Sequence, residues 1–384
     1  MRRSLHAVAI AVAVLVLAAA GAQARAIGVM ADGGITPPWT AAAEQRQSAP
    51  PPRTITVAVS GDLLIHDAVW EDAAAFGGAR GYDFAPLFAR IRPLIARADL
   101  AVCHMETPLV PGTPTGYPVF STPPALARAV RATGWDACTT ASNHSLDQGE
   151  RGIATTLRAL RANGIRHAGT ARSAREAARP LILRTASGVR VALLAYTQIS
   201  NGQTQPHPWS VNMIGDDARP ILRAAARARR LGAQVVIVNI HWGDEYRHAP
   251  NASQLRLARA IGRSGLVTAL VGQHAHVIQP IRWAGRGLVL FGEGNLISAQ
   301  GAGPGMPAAT QDGLIGLLRI RVPSEGAAEL TRIDYAPVFV RRPDHVVIPV
   351  GVDRSQPEYR ESWARTVGTM GRGAHFGPWR RQRP

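Results

Sequence analysis

What most constrains this sequence is a repeated unit: a short apolar run that ends abruptly in Asp, Glu, Asn or His. Residues 54–60 lead into Gly61 and Asp62, and residues 99–103 lead into His104, Met105 and Glu106. Residues 136–140 run into Ser142, Asn143 and His144, and residues 235–238 run through Asn239 and Ile240 into His241. Residues 267–271 end in Gly272, Gln273, His274, Ala275 and His276, and residues 288–291 end in Gly292, Glu293, Gly294 and Asn295. Near-continuous apolar runs of this length describe strands covered on both faces. Helical periods alternate with them. Ile153, Leu157 and Leu160 share a face over 149–163, with Gly164 as the stop. A second helix is expected after Asp217, with Pro220 in its first turn and Gly232 past its end. Asn251 opens a third, with Leu255, Ala258 and Ile261 facing inward. The alternation predicts a layered α/β domain. Ligands of such sheets bind beyond the carboxyl ends of the strands, which is where Asp62, Glu106, Asn143, His144, His241, His274 and His276 fall.

Composition narrows the function classes. With 46% apolar and 18% charged residues, the chain has material for a core and is not disordered. Two cysteines in 384 residues exclude a disulfide scaffold. The formal charge is +17, and all 43 basic residues are arginine. The pattern lacks the clustered bases and aromatics of a nucleic-acid surface, so no specific nucleic-acid partner is expected. A basic protein nonetheless dwells near polyanions.

Arg2 and Arg3, an apolar run from Ala7 to Ala20 and then Ala22-Gln23-Ala24 form the three parts of a secretory signal. Residues 1–24 are therefore read as a signal peptide cleaved after Ala24, with an uncleaved N-terminal membrane anchor as the alternative. Either way the protein is expected to be exported, secreted or associated with the cell envelope. Residues 25–53 read as a flexible Ala- and Pro-rich linker, 54–352 as the folded domain, and 353–384 as a basic disordered tail.

The polar set contains two carboxylates, one amide and several imidazoles. Oxygen and imidazole donors suit Mn, Zn, Fe or Co, and a carboxylate such as Glu106 can bridge two divalent ions. Two ions about 3.5–4 Å apart clamp the oxygens of a displacement reaction, and a nearby histidine can protonate the leaving group. Singly, each motif is equally a polar loop; the repetition points to one shared site.

These segments resemble the capsule-synthesis CapA family, which is linked to poly-γ-glutamate capsules and is itself similar to calcineurin-like metallophosphoesterases. The resemblance rests on Gly61-Asp62-Leu63-Leu64 with His66-Asp67, on His104-Met105-Glu106-Thr107-Pro108-Leu109, and on Ser142-Asn143-His144-Ser145-Leu146-Asp147-Gln148-Gly149. It is completed by the His-Trp-Gly-x-Glu-Tyr motif at His241 to Tyr246 and Gly-x-His-x-His-Val at Gly272 to Val277. It implies an αββα sandwich of the metallophosphoesterase type. One ion would take Asp62, Glu106 and His276, with His66; the other would take Glu106, Asn143, His241 and His274. His144 would match the general acid. Two departures stand out. Leu64 occupies the position of the histidine in the Asp-x-His opening, and Gly292-Glu293-Gly294-Asn295-Leu296 replaces Ser-Leu-Gly-Asn-Phe.

By this resemblance the chain is an exported, metal-dependent hydrolase-type protein of capsule biosynthesis. Its expected partners are an anionic envelope polymer or precursor and other capsule-synthesis membrane proteins. A non-catalytic assembly or tethering component with a structural metal site is the alternative. Other residues are open between two roles. Trp242 and Tyr246 line the cleft or pack in the core. Asp147 and Glu245 orient the histidines, or Asp147 caps the following helix. Asn295 is a further residue of the site's surroundings. Cys103 and Cys138 are expected as buried free thiols because both lie in apolar runs, although export would permit a disulfide.

Overall fold

In the computed structural model, residues 51–301 and 306–379 are described; the expected signal peptide and residues 25–50 of the linker lie outside them. The strands are β1 (Arg53–Leu63), β2 (Leu100–Met105), β3 (Ala137–Thr139), β4 (Arg166–Ala168) and β5 (Leu181–Arg184), then β6 (Arg190–Thr197), β7 (Val235–His241), β8 (Ala269–Gln273), β9 (Ile278–Ala284) and β10 (Gly287–Glu293). They are followed by β11 (Asn295–Ile297), β12 (Asp312–Val322), β13 (Glu329–Val340), β14 (Val347–Ile348) and β15 (Phe376–Pro378). The first sheet runs β14-β13-β12-β1-β2-β3-β4, with β11 beside β1 and β15 beside β13. The second runs β5-β6-β7-β8-β10-β9.

The two sheets face each other. Val57, Val59 and Val102 of the first pack with Val191, Leu193, Ile237 and Leu290 of the second. Leu126 and Val130, from the helix Ala125–Thr133, cover the outer face of the first sheet beside Ala101 and Cys103. Ile221 and Ala225 of the helix Arg219–Arg230, and Leu257 and Ile261 of the helix Ala252–Arg263, cover the outer face of the second. This is the expected four-layer αββα sandwich. Because both faces of each central strand are buried, apolar side chains are needed at every position, each contributing roughly 1.5–3 kcal/mol. The helices begin close to where their sequence signals lie. Asn251 forms a reciprocal capping box with Gln254, and the Asp217 carboxylate accepts the backbone N–H of Arg219 at 2.9 Å.

Two expectations need correction. The first concerns the tail. Residues 357–370 form a helix whose Tyr359 and Met370 enter the core, with Trp363 and Val367 packed against it. Those four residues follow the i, i+4, i+8, i+11 stripe of an amphipathic helix, which the surrounding Arg and Gly obscure. Arg365 makes two hydrogen bonds to the Asp312 carboxylate, and β15 pairs in parallel with β13. The second concerns the cysteines. Parallel pairing sets Cys103 opposite Cys138 with their Cα atoms 4.5 Å apart, and the two form a disulfide. An apolar setting is common to free and bonded cysteines. Register alone decides between them, and it emerges only when β2 and β3 become neighbours.

Candidate metal centre

The site forms where β1, β2, β3, β7 and β8 end on one side of the sandwich. Asp62 lies in the last two residues of β1, at a register irregularity where it pairs with both His104 and Asn295. Close chain approach makes this possible: a Cβ on Gly61 would sit 2.0 Å from the Gly294 carbonyl oxygen. His241 is the final residue of β7, and His274 and His276 follow β8. Their loop holds both histidines in left-handed backbone, φ 88° and 54°, as is Tyr246 at 61°. Non-glycine residues in this region are strained by about 1–3 kcal/mol, a cost that recurs at functional sites.

The donor atoms converge. Nε2 of His241 lies 2.8 Å from Oδ1 of Asn143, 3.1 Å from Nδ1 of His274 and 3.8 Å from Oε1 of Glu106. Nδ1 of His276 lies 3.4 Å from Oδ2 of Asp62, and its Nε2 lies 3.9 Å from Oε1 of Glu106. Glu106 thus stands between the two groups. Asp62, Glu106, His104, His241 and His276 are essentially without solvent exposure. Three sets bring one donor atom from each member within 4.8 Å of the others: Asp62, Glu106 and His276; Asp62, His104 and His241; and Glu245, His274 and His276.

Burial decides the charge states. Desolvation, then the Asp62 charge, pushes the Glu106 carboxyl well above its ordinary range. Burial and the neighbouring histidines hold His241 and His274 well below theirs, so both rings are neutral ligands in waiting. His276 differs. Burial lowers it, but Glu106 and Asp62 outweigh burial and lift it to about 9.

His144 stands beside these groups with Nδ1 2.8 Å from Oδ2 of Asp147, which leaves Nε2 available. The Phe120 ring packs against it in a T-shaped arrangement, with ring centroids 4.7 Å apart. Asp147 is therefore an orienting partner; the following helix Gly149–Ala162 has Gln148 at its N-cap and no side-chain cap bond. Asn295 accepts at 3.0 Å opposite Nδ1 of His276 and donates to the Thr310 carbonyl oxygen, so it orients that ring. His66 enters none of the three donor sets; its Nδ1 is 3.3 Å from both the Leu64 carbonyl oxygen and the Ala299 amide nitrogen.

Trp242 does not line the cleft. It is fully buried, stacks on Phe291 and donates to the Phe291 carbonyl oxygen at 3.0 Å. A Cβ on Gly272 would meet its indole nitrogen at 2.2 Å, so this aromatic belongs to the wall beneath β8. Tyr246 instead approaches the site, its ring centroid 6.2 Å from that of His276. A carboxylate oxygen of Glu245 lies within 4.8 Å of donor atoms of His274 and His276, close enough to share an ion with them.

One residue close to the site has no role in the sequence reading. His104 bridges Thr139 Oγ1 at 2.8 Å and Nδ1 of His241 at 3.1 Å, and lies 3.9 Å from Asp62 Oδ1. Its signal is visible in the sequence: it stands two residues before Glu106, at the end of the same apolar run.

The family described as bacterial capsule synthesis protein PGA_cap matches residues 56–300, a span that contains every donor named above. The chain belongs to this family. The PGA_cap chain is 25% identical over 256 residues to capsule biosynthesis protein CapA of Bacillus anthracis, covering 64% of this chain and 60% of that one. It is 27% identical over 194 residues to PGA biosynthesis protein CapA of Bacillus subtilis, covering 50% and 49%. It thus spans about half to three-fifths of these relatives' length. Among solved structures it is similar to the calcineurin-like phosphoesterase YfkN from Bacillus subtilis, with a TM-score of 0.45 and 16% identity over 83% of this chain and 96% of that one. A phosphatase from Mycoplasma pneumoniae gives a TM-score of 0.46 at 11% identity, covering 75% of this chain and 94% of that one.

Proposed function

We propose that this PGA_cap chain is an exported, metal-dependent hydrolase-type protein of capsule biosynthesis, acting on an anionic envelope polymer or its precursor. Poly-γ-glutamate is the polymer class its relatives suggest. One observation carries the catalytic part of this reading: Oδ1 of Asp62 and both carboxylate oxygens of Glu106 are buried without a hydrogen-bond partner. Orphaned buried carboxylates are strongly destabilising unless a cation meets them. The imidazoles around them, His241 and His274 already neutral and His276 once it gives up its proton, are the donors that Mn, Zn, Fe or Co accept, so the residues fit divalent ions. Asp62, Glu106 and His276 would hold one ion; Glu106, Asn143, His241 and His274 would hold the other.

Such ions supply electrostatic stabilisation of the charge that builds on the attacked group. The chain's own residues do the rest. Asp147 accepts from Nδ1 of His144 and fixes the direction of the ring, so that the ring, when protonated at Nε2 as well, is placed to give that proton to the leaving group. Phe120 shields that ring from water. The disulfide supports export, because such bonds persist in oxidising compartments.

The test is elemental analysis of the purified mature chain together with hydrolysis of a nitrophenyl phosphodiester before and after chelation. About two equivalents of divalent metal and chelator-sensitive turnover are expected. A chain that takes up no divalent metal and hydrolyses nothing after reloading would overturn the reading.

A further inference from the structure

A cavity of about 1000 Å³ opens where the free edges of the two sheets meet, and none of the candidate metal donors lines it. Its walls come from β4 (Arg166–Ala168), the segment 169–180, β5 and β6, with the helix Arg219–Arg230 closing one side. Six arginines line it: Arg161, Arg166, Arg172, Arg175, Arg179 and Arg227. Glu176 is the one acidic residue among the lining groups. The chain as a whole has 43 arginines to 26 acids, so a six-to-one ratio here is a local concentration and not a reflection of composition.

Two guanidiniums of the wall already face a carboxylate of the chain itself. Arg172 grips the Glu176 carboxylate with two bonds, Nε to Oε2 at 3.0 Å and Nη2 to Oε1 at 2.7 Å. Arg161 approaches the same carboxylate at 3.7 Å. That forked geometry is the strongest form of carboxylate recognition by arginine. Arg166, Arg175, Arg179 and Arg227 have no carboxylate within ion-pair distance among the described residues, and their side chains are exposed. A concave wall with one sign of charge focuses potential toward a ligand of the other sign. The cavity adjoins the metal centre along the chain. Thr170 lines it and its hydroxyl lies 2.7 Å from that of Thr140, three residues before Asn143.

We infer that this arginine-lined cavity is a binding site for a linear polycarboxylate chain, held beside the metal centre and independently of it. Its identity with the polymer being processed rests on the function proposed above; the binding itself does not. Several separately positioned guanidiniums suit a ligand carrying repeated carboxylates, and each added ion pair raises affinity through effective concentration.

The experiment measures binding of a fluorescent glutamate oligomer to the whole mature chain by anisotropy, at fixed ionic strength. Arg166→Gln/Arg175→Gln/Arg179→Gln should weaken binding by about tenfold or more, since removing each guanidinium–carboxylate pair costs about a few-fold in affinity. Arg259→Gln/Arg282→Gln/Arg286→Gln removes the same charge from another face and should change it less than about twofold. All six side chains are exposed, and circular dichroism melting checks that both variants fold. Equal loss in the two variants would overturn the site in favour of non-specific attraction. A polyphosphate of matched charge that binds as tightly would overturn the carboxylate assignment. Glu106→Gln, which disables the metal centre, should leave oligomer binding unchanged; loss of binding in that variant alone would place the oligomer at the metals and overturn the cavity site. If oligomer binding is retained while no hydrolysis is found in the wild-type chain, the catalytic reading fails and the binding site stands.

Discussion

Oδ2 of Asp147 serves two groups at once: it faces Nδ1 of His144 at 2.8 Å and accepts the backbone N–H of Phe120 at 2.8 Å. Oδ1 accepts from Gln203 at 2.9 Å. One carboxylate therefore sets the direction of the imidazole, the position of the aromatic ring against it, and the loop that carries Gln203. Asp147→Asn keeps the shape but loses the charge that holds the His144 ring through its Nδ1–H. Turnover should fall by about 10–100-fold with metal content unchanged. A loss confined to KM, with kcat intact, would show that Asp147 shapes the cleft and not the proton donor.

His144 and Glu106 should separate cleanly. His144→Ala removes a group that touches no metal donor set, so metal stays bound while turnover drops by roughly 10²–10⁴-fold. A substrate with a very good leaving group should recover most of that loss. Glu106→Ala removes the carboxylate that stands between both groups of donors, so metal content and hydrolysis should fall together with no such recovery. Metal analysis of the two variants beside paired leaving-group kinetics decides it. Equal metal loss in both would make His144 a ligand.

The electrostatics of the metal-free chain predict proton release on loading. Near pH 7, His276 carries a proton because the Glu106 and Asp62 carboxylates hold it up to about 9. Metal binds only the neutral imidazole and the carboxylate anion. The ion held by Asp62, Glu106 and His276 must therefore displace that proton, and its affinity should climb as pH rises toward 9, by at most about tenfold per pH unit. Titration calorimetry in buffers of different ionisation heat counts the protons released. A heat independent of the buffer would mean that the donors are already deprotonated.

Much of this arrangement is legible from the amino-acid sequence. The apolar runs ending in Asp62, Glu106, Asn143, His241 and His274 to His276 announce both the covered strands and the edge at which the donors meet, because the period and the punctuation are local properties. Contacts set by strand order are not local. That Cys103 would face Cys138, or that His104 would bridge Thr139 and His241, depends on β2 lying between β1 and β3. The helix at 357–370 is obscured differently: its apolar stripe is present, but arginines and glycines dilute it below what composition reveals. Trp242 shows an alternative that the sequence leaves open and the structure resolves. An aromatic inside a catalytic-looking motif fits cleft and core equally until Gly272 is seen to make room for its ring beneath the sheet.

The disulfide gives the last prediction. Cys103 and Cys138 close a loop with a sequence separation of 35 and lie side by side on β2 and β3. Constraining a loop of that length in the unfolded chain stabilises the native state by about 3–4 kcal/mol. The bond also lies one residue from His104 and one from Thr139, the pair that props His241. Cys138→Ser should therefore lower the urea midpoint by the equivalent of about 2–4 kcal/mol. Reductant should produce the same shift in the wild-type chain and none in the variant. Thiol titration of the denatured, unreduced wild-type chain should find no free cysteine. Two free thiols, or a wild-type midpoint indifferent to reductant, would return both residues to the role of buried apolar side chains.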